Sequence, residues 1–375
     1  MHFEPKVLIP TLIPWKLIFD HIVLANQTLT MVLPLTYLAV LLAYLAVGYG
    51  LQPSDIPHDT PLSSLVTSAK SHLANGSPRD ALMFFDAAIA RDPTNFITIF
   101  QRGAAYLSMG KSSQASEDFD RVLSLKPDFE GALLQRSRLK AKNADWNGAL
   151  GDLEKAGKKK SPEYQAIQGA QSAAHAAQSA EKKHSWESCV KSADAAIAKA
   201  GMSVNLRQIR SHCHFERGEV EEGIRDLSYI LQVSPGLSEE HLQLSSILFY
   251  GLGDVERGLA QIRKCLHADP ESKACNGLFR REKKLGKQLA SVRESMGKKK
   301  FANAANMLVG SGKESDGSLL DEVKEDIRHV KEAGYIRPSM TSNLYAFLVG
   351  STCDAQRQVC VSISSVFLPH LLIGT

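Results

Sequence analysis

From Ser63 to Pro127 the small, aromatic and helix-ending positions of the chain recur at one spacing. Ala69 matches Gly103, Gly76 matches Gly110, Ala81 matches Ala115, Phe85 matches Phe119 and Pro93 matches Pro127, each pair 34 residues apart. The residue types suit two helices packed side by side. Small residues (Ala69, Ala81, Ala88, Gly103, Ala115) stand where helices approach closely, and Phe84, Phe85, Tyr106 and Phe119 fill the space between them, as close packing requires. Gly76 and Gly110 follow the first helix, where a left-handed residue ends it at little cost. Pro93 and Pro127 follow the second, which neither can continue. The pattern predicts a helix–turn–helix unit written twice.

A 34-residue helix–turn–helix period is that of the tetratricopeptide repeat, whose units stack on copies of themselves. The expected fold is therefore all-α, a tetratricopeptide-repeat superhelix (α-solenoid) of about seven units in blocks of three. A third unit follows in phase, with Ser137, Ala149, Leu153 and Ala156 at the repeat positions and Trp146 opening its second helix. Trp186 is the next equivalent of Trp146, 40 residues on, so six residues enter around Gly157 to Glu163. Ser161-Pro162 reads as an N-cap with proline at the first helical position, and predicts a long helix over 162–183. Unit five carries Ser211, Gly218, Leu227 and Pro235. Unit six carries Ser246, Phe249, Gly253, Ile262 and Pro270 and is one residue longer than the period. A second long helix is expected over 272–296, then Phe301 and Ala304 open the second helix of unit seven after a further break of about twelve residues. Gly310 to Ser318 reads as a flexible linker, Leu319 to Ala333 as an amphipathic helix, and Ser342 to Ala355 as the first helix of an eighth unit. The tail after it is apolar and matches no repeat position. This divides the chain into 1–51, an extension with a signal or anchor; 52–61, a spacer; 62–160, units one to three; 161–271, units four to six; 272–355, a partial third block; and 356–375, an unmatched tail.

The amino end bears an address. Val32 to Leu51 is an apolar run after a second methionine, Met31, the expected working start. Small residues at Ala46-Val47-Gly48 and Gly48-Tyr49-Gly50 and a polar spacer follow it, as in a cleaved secretory signal. Twenty apolar residues are also enough for an uncleaved membrane anchor, the only membrane contact expected. Asn75-Gly76-Ser77 is a candidate N-glycosylation acceptor in the turn of the first unit, with Pro78 directly behind it.

The net charge of +4 is mild, and the lysine runs 158–160 and 298–300 lack interleaved aromatics, so no nucleic-acid partner is expected. No nucleophile elbow, Walker loop, dinucleotide fingerprint or zinc spacing occurs, which excludes the common enzyme signatures and implies no cofactor. His212-Cys213-His214 cannot bind one metal from a helix, because residues two apart point about 200° apart. The expectation there is one buried cysteine between solvated histidines. No buried pair of acidic residues is visible.

Groove-lining positions of such arrays lie at 2, 5, 9 and 12 of each first helix. In cytosolic chaperone adaptors with this repeat they carry Lys, Asn and Arg, which clamp acidic tails; here position 5 of units one to three is Val66, Phe100 and Leu134, with Ile97 and Leu107 alongside Phe100. These five are the candidate sites for unfolded polypeptide clients. The competing reading packs them against the preceding helix. Over Pro61 to Phe347, and most specifically in GDVERGLAQIRKCLHADPESKACNGLFRREKKL (253–285), the chain resembles the endoplasmic-reticulum tetratricopeptide J-protein co-chaperones of the inhibitor-of-kinase type, in a fungal-type version. The resemblance implies a lumenal protein that binds unfolded polypeptides and passes them to lumenal Hsp70. It also implies a carboxy-terminal J domain with a His-Pro-Asp loop, a tripeptide not found in this sequence, nor is a retention tetrapeptide. Partnership with Hsp70 is therefore expected to be indirect. The alternative is a membrane-anchored repeat receptor or a scaffold.

Cys265 stands in the last turns of the second helix of unit six and Cys275 in the first turn of the next, with the chain reversing at Asp269-Pro270. Residues flanking such a turn can approach to the roughly 5.5–6 Å between Cα atoms that a disulfide needs. An oxidising lumen would permit the bond. Cys189 and Cys213 are a second candidate pair, which requires two neighbouring units to align.

Overall fold

The computed structural model describes residues 56–57, 59–310, 318–338 and 340–355. The apolar run 32–51, the linker residues 311–317 and the tail 356–375 lie outside the described residues, and with them the signal, anchor and tail expectations. The described elements are all helical, without a strand among them, and none is long and apolar enough to cross a membrane. Chain contacts form two compact units, 1–111 and 112–375.

The first unit holds α1 (Leu62–Ala74), α2 (Pro78–Arg91) and α3 (Phe96–Ser108). Leu65, Ala69, Ala81, Phe85 and Ala88 are fully buried between α1 and α2. Ile56, from the spacer, tucks against Leu65 and Ala88, and the Arg91 guanidinium donates to the Pro57 carbonyl at 3.3 Å. The Asn95 side chain caps α3 by accepting from the Thr98 amide at 3.1 Å, which satisfies one of the orphan donors of a helix start.

The second unit runs through α4 (Ser112–Leu125), α5 (Glu130–Lys142), α6 (Trp146–Lys155), α7 (Pro162–Lys182), α8 (Trp186–Ile197), α9 (Val204–Glu216), α10 (Val220–Val233), α11 (Ser238–Ser246), α12 (Val255–Ala268), α13 (Lys273–Gly297), α14 (Phe301–Val309), α15 (Leu319–Glu332) and α16 (Asn343–Ala355). The long helices stand where the phase breaks predict them. Ser161 caps α7 by accepting from the Tyr164 amide, and α7 buries Ile167, Ala170, Ala174 and Ala177, a face of mostly small residues that lets α8 come close.

Each first helix ends on one residue with a left-handed backbone, and those residues measure the period. They are Gly76, Gly110, Ala144, His184, Gly218, Gly253 and Lys299, with φ between 56° and 78°. Their spacings are 34, 34, 40, 34, 35 and 46, so the insertions of six, one and twelve residues lie in the first helices. The single extra residue of the sixth repeat takes the form of a π-helical turn, Ile247–Gly251, continuing α11. A π turn absorbs one added residue without breaking the helix. Within it the Leu252 amide donates to the Ile247 carbonyl at 2.8 Å, five residues back.

Candidate functional site

Three of the five apolar candidates share one stripe of α3. The helix buries Thr98, Ile99, Gly103 and Ala105 and turns Ile97, Phe100, Ala104 and Leu107 to the other side. Ile97 is half exposed; Phe100 and Leu107 are half-buried. Val66, on α1 of the same unit, leans on the Ile56–Leu65–Ala88 cluster. Leu134 belongs to the second unit, where it packs against the core around Trp146, Ala149 and Leu153. Val66 and Leu134 therefore have partial core roles, and Ile97 is the position with the most apolar surface in water. Asn75 is exposed at the end of α1, in a turn closed by the Ser77 amide donating to the His72 carbonyl at 2.8 Å.

The four candidate cysteines are all buried. Cys189 in α8 and Cys213 in α9 have their sulfurs 2.03 Å apart and Cα atoms 6.3 Å apart. Cys265 in α12 and Cys275 in α13 have Cα atoms 6.2 Å apart and sulfurs at bonding distance. The histidines beside Cys213 are not solvated as the sequence suggested. His214 is buried with Nδ1 at 2.6 Å from Glu219, and half-buried His212 has Nδ1 at 2.6 Å from Glu181. Each finds a carboxylate on its own side of the helix, which separates them as the helical geometry requires. No group of residues able to hold a metal ion occurs among the described residues.

Buried acids, which the sequence did not reveal, are the main polar feature of the second unit. Asp152 on α6 is bound through both oxygens by Arg136 on α5, at 2.8 and 2.6 Å, and Lys140 approaches at 3.0 Å. The same guanidinium donates to Asp120 on α4 at 2.7 Å. Two repeats on, Arg210 holds Asp226 at 2.8 and 2.6 Å and Asp194 at 2.6 Å. In the first unit Arg102 donates to Asp86 at 2.8 Å. Each of these arginine–aspartate pairs is 16 residues apart, one helix and one turn, and Arg207, 19 residues from Asp226, adds a further contact at 3.0 Å. Burial alone would push the Asp152 carboxyl up; the hydrogen bonds from Arg136 and Lys140 outweigh it and hold the group below the usual carboxylate range. These ties clamp neighbouring helices, which makes their role structural. Their sequence signal was present in Asp86 and Asp120, and Arg102 and Arg136, each 34 apart.

Glu282 on α13 is of a different kind. It has no exposed surface and no ion pair among the described residues; Ser245 on α11 approaches both its oxygens, at 2.9 and 3.0 Å. Burial is the chief cause that pushes its pKa up, to about 8. Around it stand Tyr250 of the π turn, fully buried, and Asp326 of α15, 8% exposed.

No protein-family model matches the chain. Over 314 residues it is 43% identical to the tetratricopeptide repeat and J domain-containing co-chaperone DNJ1 of Fusarium oxysporum f. sp. lycopersici, covering 84% of this chain and 60% of that protein. It is 28% identical to the protein of the same description from Cryptococcus neoformans var. grubii, over 85% of this chain and 63% of the relative. It is 32% identical to DnaJ homolog subfamily C member 3 of Gallus gallus, over 63% of this chain and 48% of that protein. The chain thus spans about half to two thirds of the length of these curated relatives. Among solved structures, the TPR domain of P58(IPK) superposes with a TM-score of 0.66 at 24% identity, over 82% of this chain and 83% of that one, which establishes the repeat fold.

Proposed function

The chain is homologous to the tetratricopeptide-repeat and J domain-containing co-chaperones, and from that premise we propose that it holds unfolded polypeptides for transfer to a lumenal Hsp70. The observation that carries this reading is the α3 stripe, Ile97, Phe100 and Leu107. It presents apolar surface where clamp-type repeats place basic and amide groups. An apolar strip on a rigid helix suits sequence-tolerant contact with exposed hydrophobic segments. Val66 extends the site within the same unit as its half-buried margin, and Leu134 is the candidate of the second unit taken by itself.

The site of action in this reading is the endoplasmic-reticulum lumen. It is supported by the resemblance to lumenal proteins and by two buried cysteine pairs, which an oxidising compartment would keep as disulfides. Asn75, exposed in its turn, would carry a glycan there.

The test is suppression of aggregation of a denatured client by the wild type and by the double variant Ile97→Ser, Phe100→Ser. The variant is expected to lose suppression while its far-ultraviolet helical signal stays unchanged. Equal suppression by both proteins removes the stripe as the site, and a collapsed helical signal assigns Phe100 to the core.

A further inference from the structure

Residues 319–342 do not add a helix pair to the array. They lie across first helices of the fifth to seventh repeats. Leu319, Val323 and Val330, on one face of α15, join the buried cluster that holds Leu285 and Leu289 of α13. Lys284 and Gln288 of α13 reach Glu322 at 2.5 and 3.2 Å. Beyond the helix, Ile336 is buried in the same cluster and Arg337 stands 3.5 Å from Glu216 at the end of α9. The segment ends where the Ser342 hydroxyl donates to the Tyr250 carbonyl at 2.5 Å, a carbonyl of the π turn. Met340 lies over Gly251, where a Cβ would come 3.1 Å from its sulfur.

The centre of this contact is the fully buried Glu282 carboxyl, with Ser245 at both its oxygens. Ser245 donates its single hydroxyl proton to the Gly258 carbonyl at 2.8 Å, the bond that Ser137 makes to Ala149 in the third repeat. The same hydroxyl lies 3.0 and 2.9 Å from the two Glu282 oxygens, and its one proton cannot serve both Gly258 and Glu282, so an uncharged Glu282 supplies the second proton where an ionised one leaves a bond unmade. Tyr250 from the π turn and Asp326 from α15 act on Glu282, while Glu322 and His329 act on Asp326. Two exposed cations of α13 act here, Arg281 on both acids and Lys284 on Asp326. Covering Glu282 with Asp326 is tolerable while Glu282 is neutral and costly once it is not.

We propose that 319–342 is a latch, a removable internal occupant of the first-helix face of repeats five to seven, seated on uncharged Glu282 and released when that carboxyl ionises. Release bares Leu285, Leu289 and the π turn on the face that lines the groove of such arrays. This goes beyond client holding by α3 and stands or falls separately. A carboxyl whose pKa is raised when covered binds a proton that the released form gives up. The latch is therefore tightest below the ordinary glutamate range, loosens through neutral pH, and levels off above about 8.

Hydrogen exchange of the whole protein between pH 5 and 9, corrected for intrinsic rates, tests it. In the wild type, protection of α15 should fall by up to about tenfold per pH unit before levelling, while α9 and α10 keep theirs. Glu282→Gln retains the neutral hydrogen bond and should abolish the slope, leaving α15 better protected than wild type at pH 8 and equal to it at pH 5. A flat wild-type profile overturns the proposal, as does the same slope in Glu282→Gln or loss of α9 and α10 protection together with α15.

Discussion

The third and sixth repeats handle a buried carboxyl at their first helices in opposite ways. In the third, Asp152 sits against Arg136 and remains ionised. In the sixth, the corresponding positions are Leu244 and Gln261, both buried, and Gln261 Nε2 lies 2.7 Å from His241 Nδ1. The cation is gone from this place, and the acid that approaches it, Glu282, comes from the next repeat and finds only Ser245. One period thus carries a charged clamp where the helices are to stay together. It carries a neutral, protonatable contact where a segment from outside the period crosses the array. A buried ion pair is weak grounds for stability in itself, but it is unforgiving of losing one member. A neutral carboxyl is cheap to bury and sensitive to pH.

The largest test of the contrast is Arg136→Ala. It leaves Asp152, 3% exposed, with Lys140 as its remaining cation, and deletes the tie to Asp120. The expected loss is about 3–5 kcal/mol, the range for breaking a buried pair. Urea unfolding followed by helical signal measures it. If Arg136→Ala costs under about 1 kcal/mol, the ladder behaves as a surface decoration and the contrast between the repeats fails.

Acid should separate the two regions by sign. Asp152 is depressed when folded, so its contribution is present above the ordinary aspartate range and is lost as pH falls through and below it. Glu282 is raised when covered, so its contribution is complete in acid and is lost towards about pH 8. Exchange-protection profiles should show α15 tightening as pH falls from about 8 to the ordinary glutamate range, and α5 and α6 loosening only below about pH 4, where α15 is already level. Parallel profiles for both regions would mean that a single global equilibrium is being read.

Why the sequence revealed one side of this comparison and not the other is a matter of range. The repeat frame, the long helices and the extra residue of the sixth repeat follow from local spacing: a proline after Ser161, a tryptophan 40 residues on, and one residue too many before Gly253. Those features need no knowledge of what touches what. Arg136 and Asp152 become partners only when α5 and α6 are folded against each other, and in the sequence they are two charges among many on helix surfaces. Glu282 is further out of reach. Its neighbours Ser245, Tyr250 and Asp326 come from three elements, and α15 reads only as an amphipathic helix after a linker. The histidines at 212 and 214 were misjudged for a related reason: Glu181, from the preceding first helix, was not visible as a partner for His212.

The turn of the sixth repeat should tolerate less change than that of the third. Gly253 has φ +75°, and a Cβ there would meet the Leu344 amide nitrogen at 3.4 Å. Gly253→Ala pays the left-handed penalty of roughly 1–2 kcal/mol and presses on the helix that anchors the latch's far end. Urea midpoints should fall accordingly, and α16 should lose exchange protection first. A variant that weakens α14 before α16 would place the strain elsewhere.

The smallest effect is the reverse change in the turns that lack glycine. Ala144, His184 and Lys299 hold φ of 63°, 56° and 57°, a region costly for a side chain with a Cβ. Replacing each by glycine removes that strain but adds about 0.5–1 kcal/mol of unfolded-chain entropy, so the net gain is a fraction of the strain. What the side chain touches then sets the order. Lys299 is exposed and loses nothing; the Ala144 methyl packs against the core around Trp146; the His184 ring stands 5.0 Å from that of Trp186, edge-on. Lys299→Gly is expected to raise stability most, by up to about 1 kcal/mol, Ala144→Gly less, and His184→Gly not at all. The reading is a shift in urea midpoint at unchanged m. A fall in midpoint for Lys299→Gly would show that the left-handed turn there is not strained, and that the positions measuring the period are held by the sequence of the turn and not by its backbone.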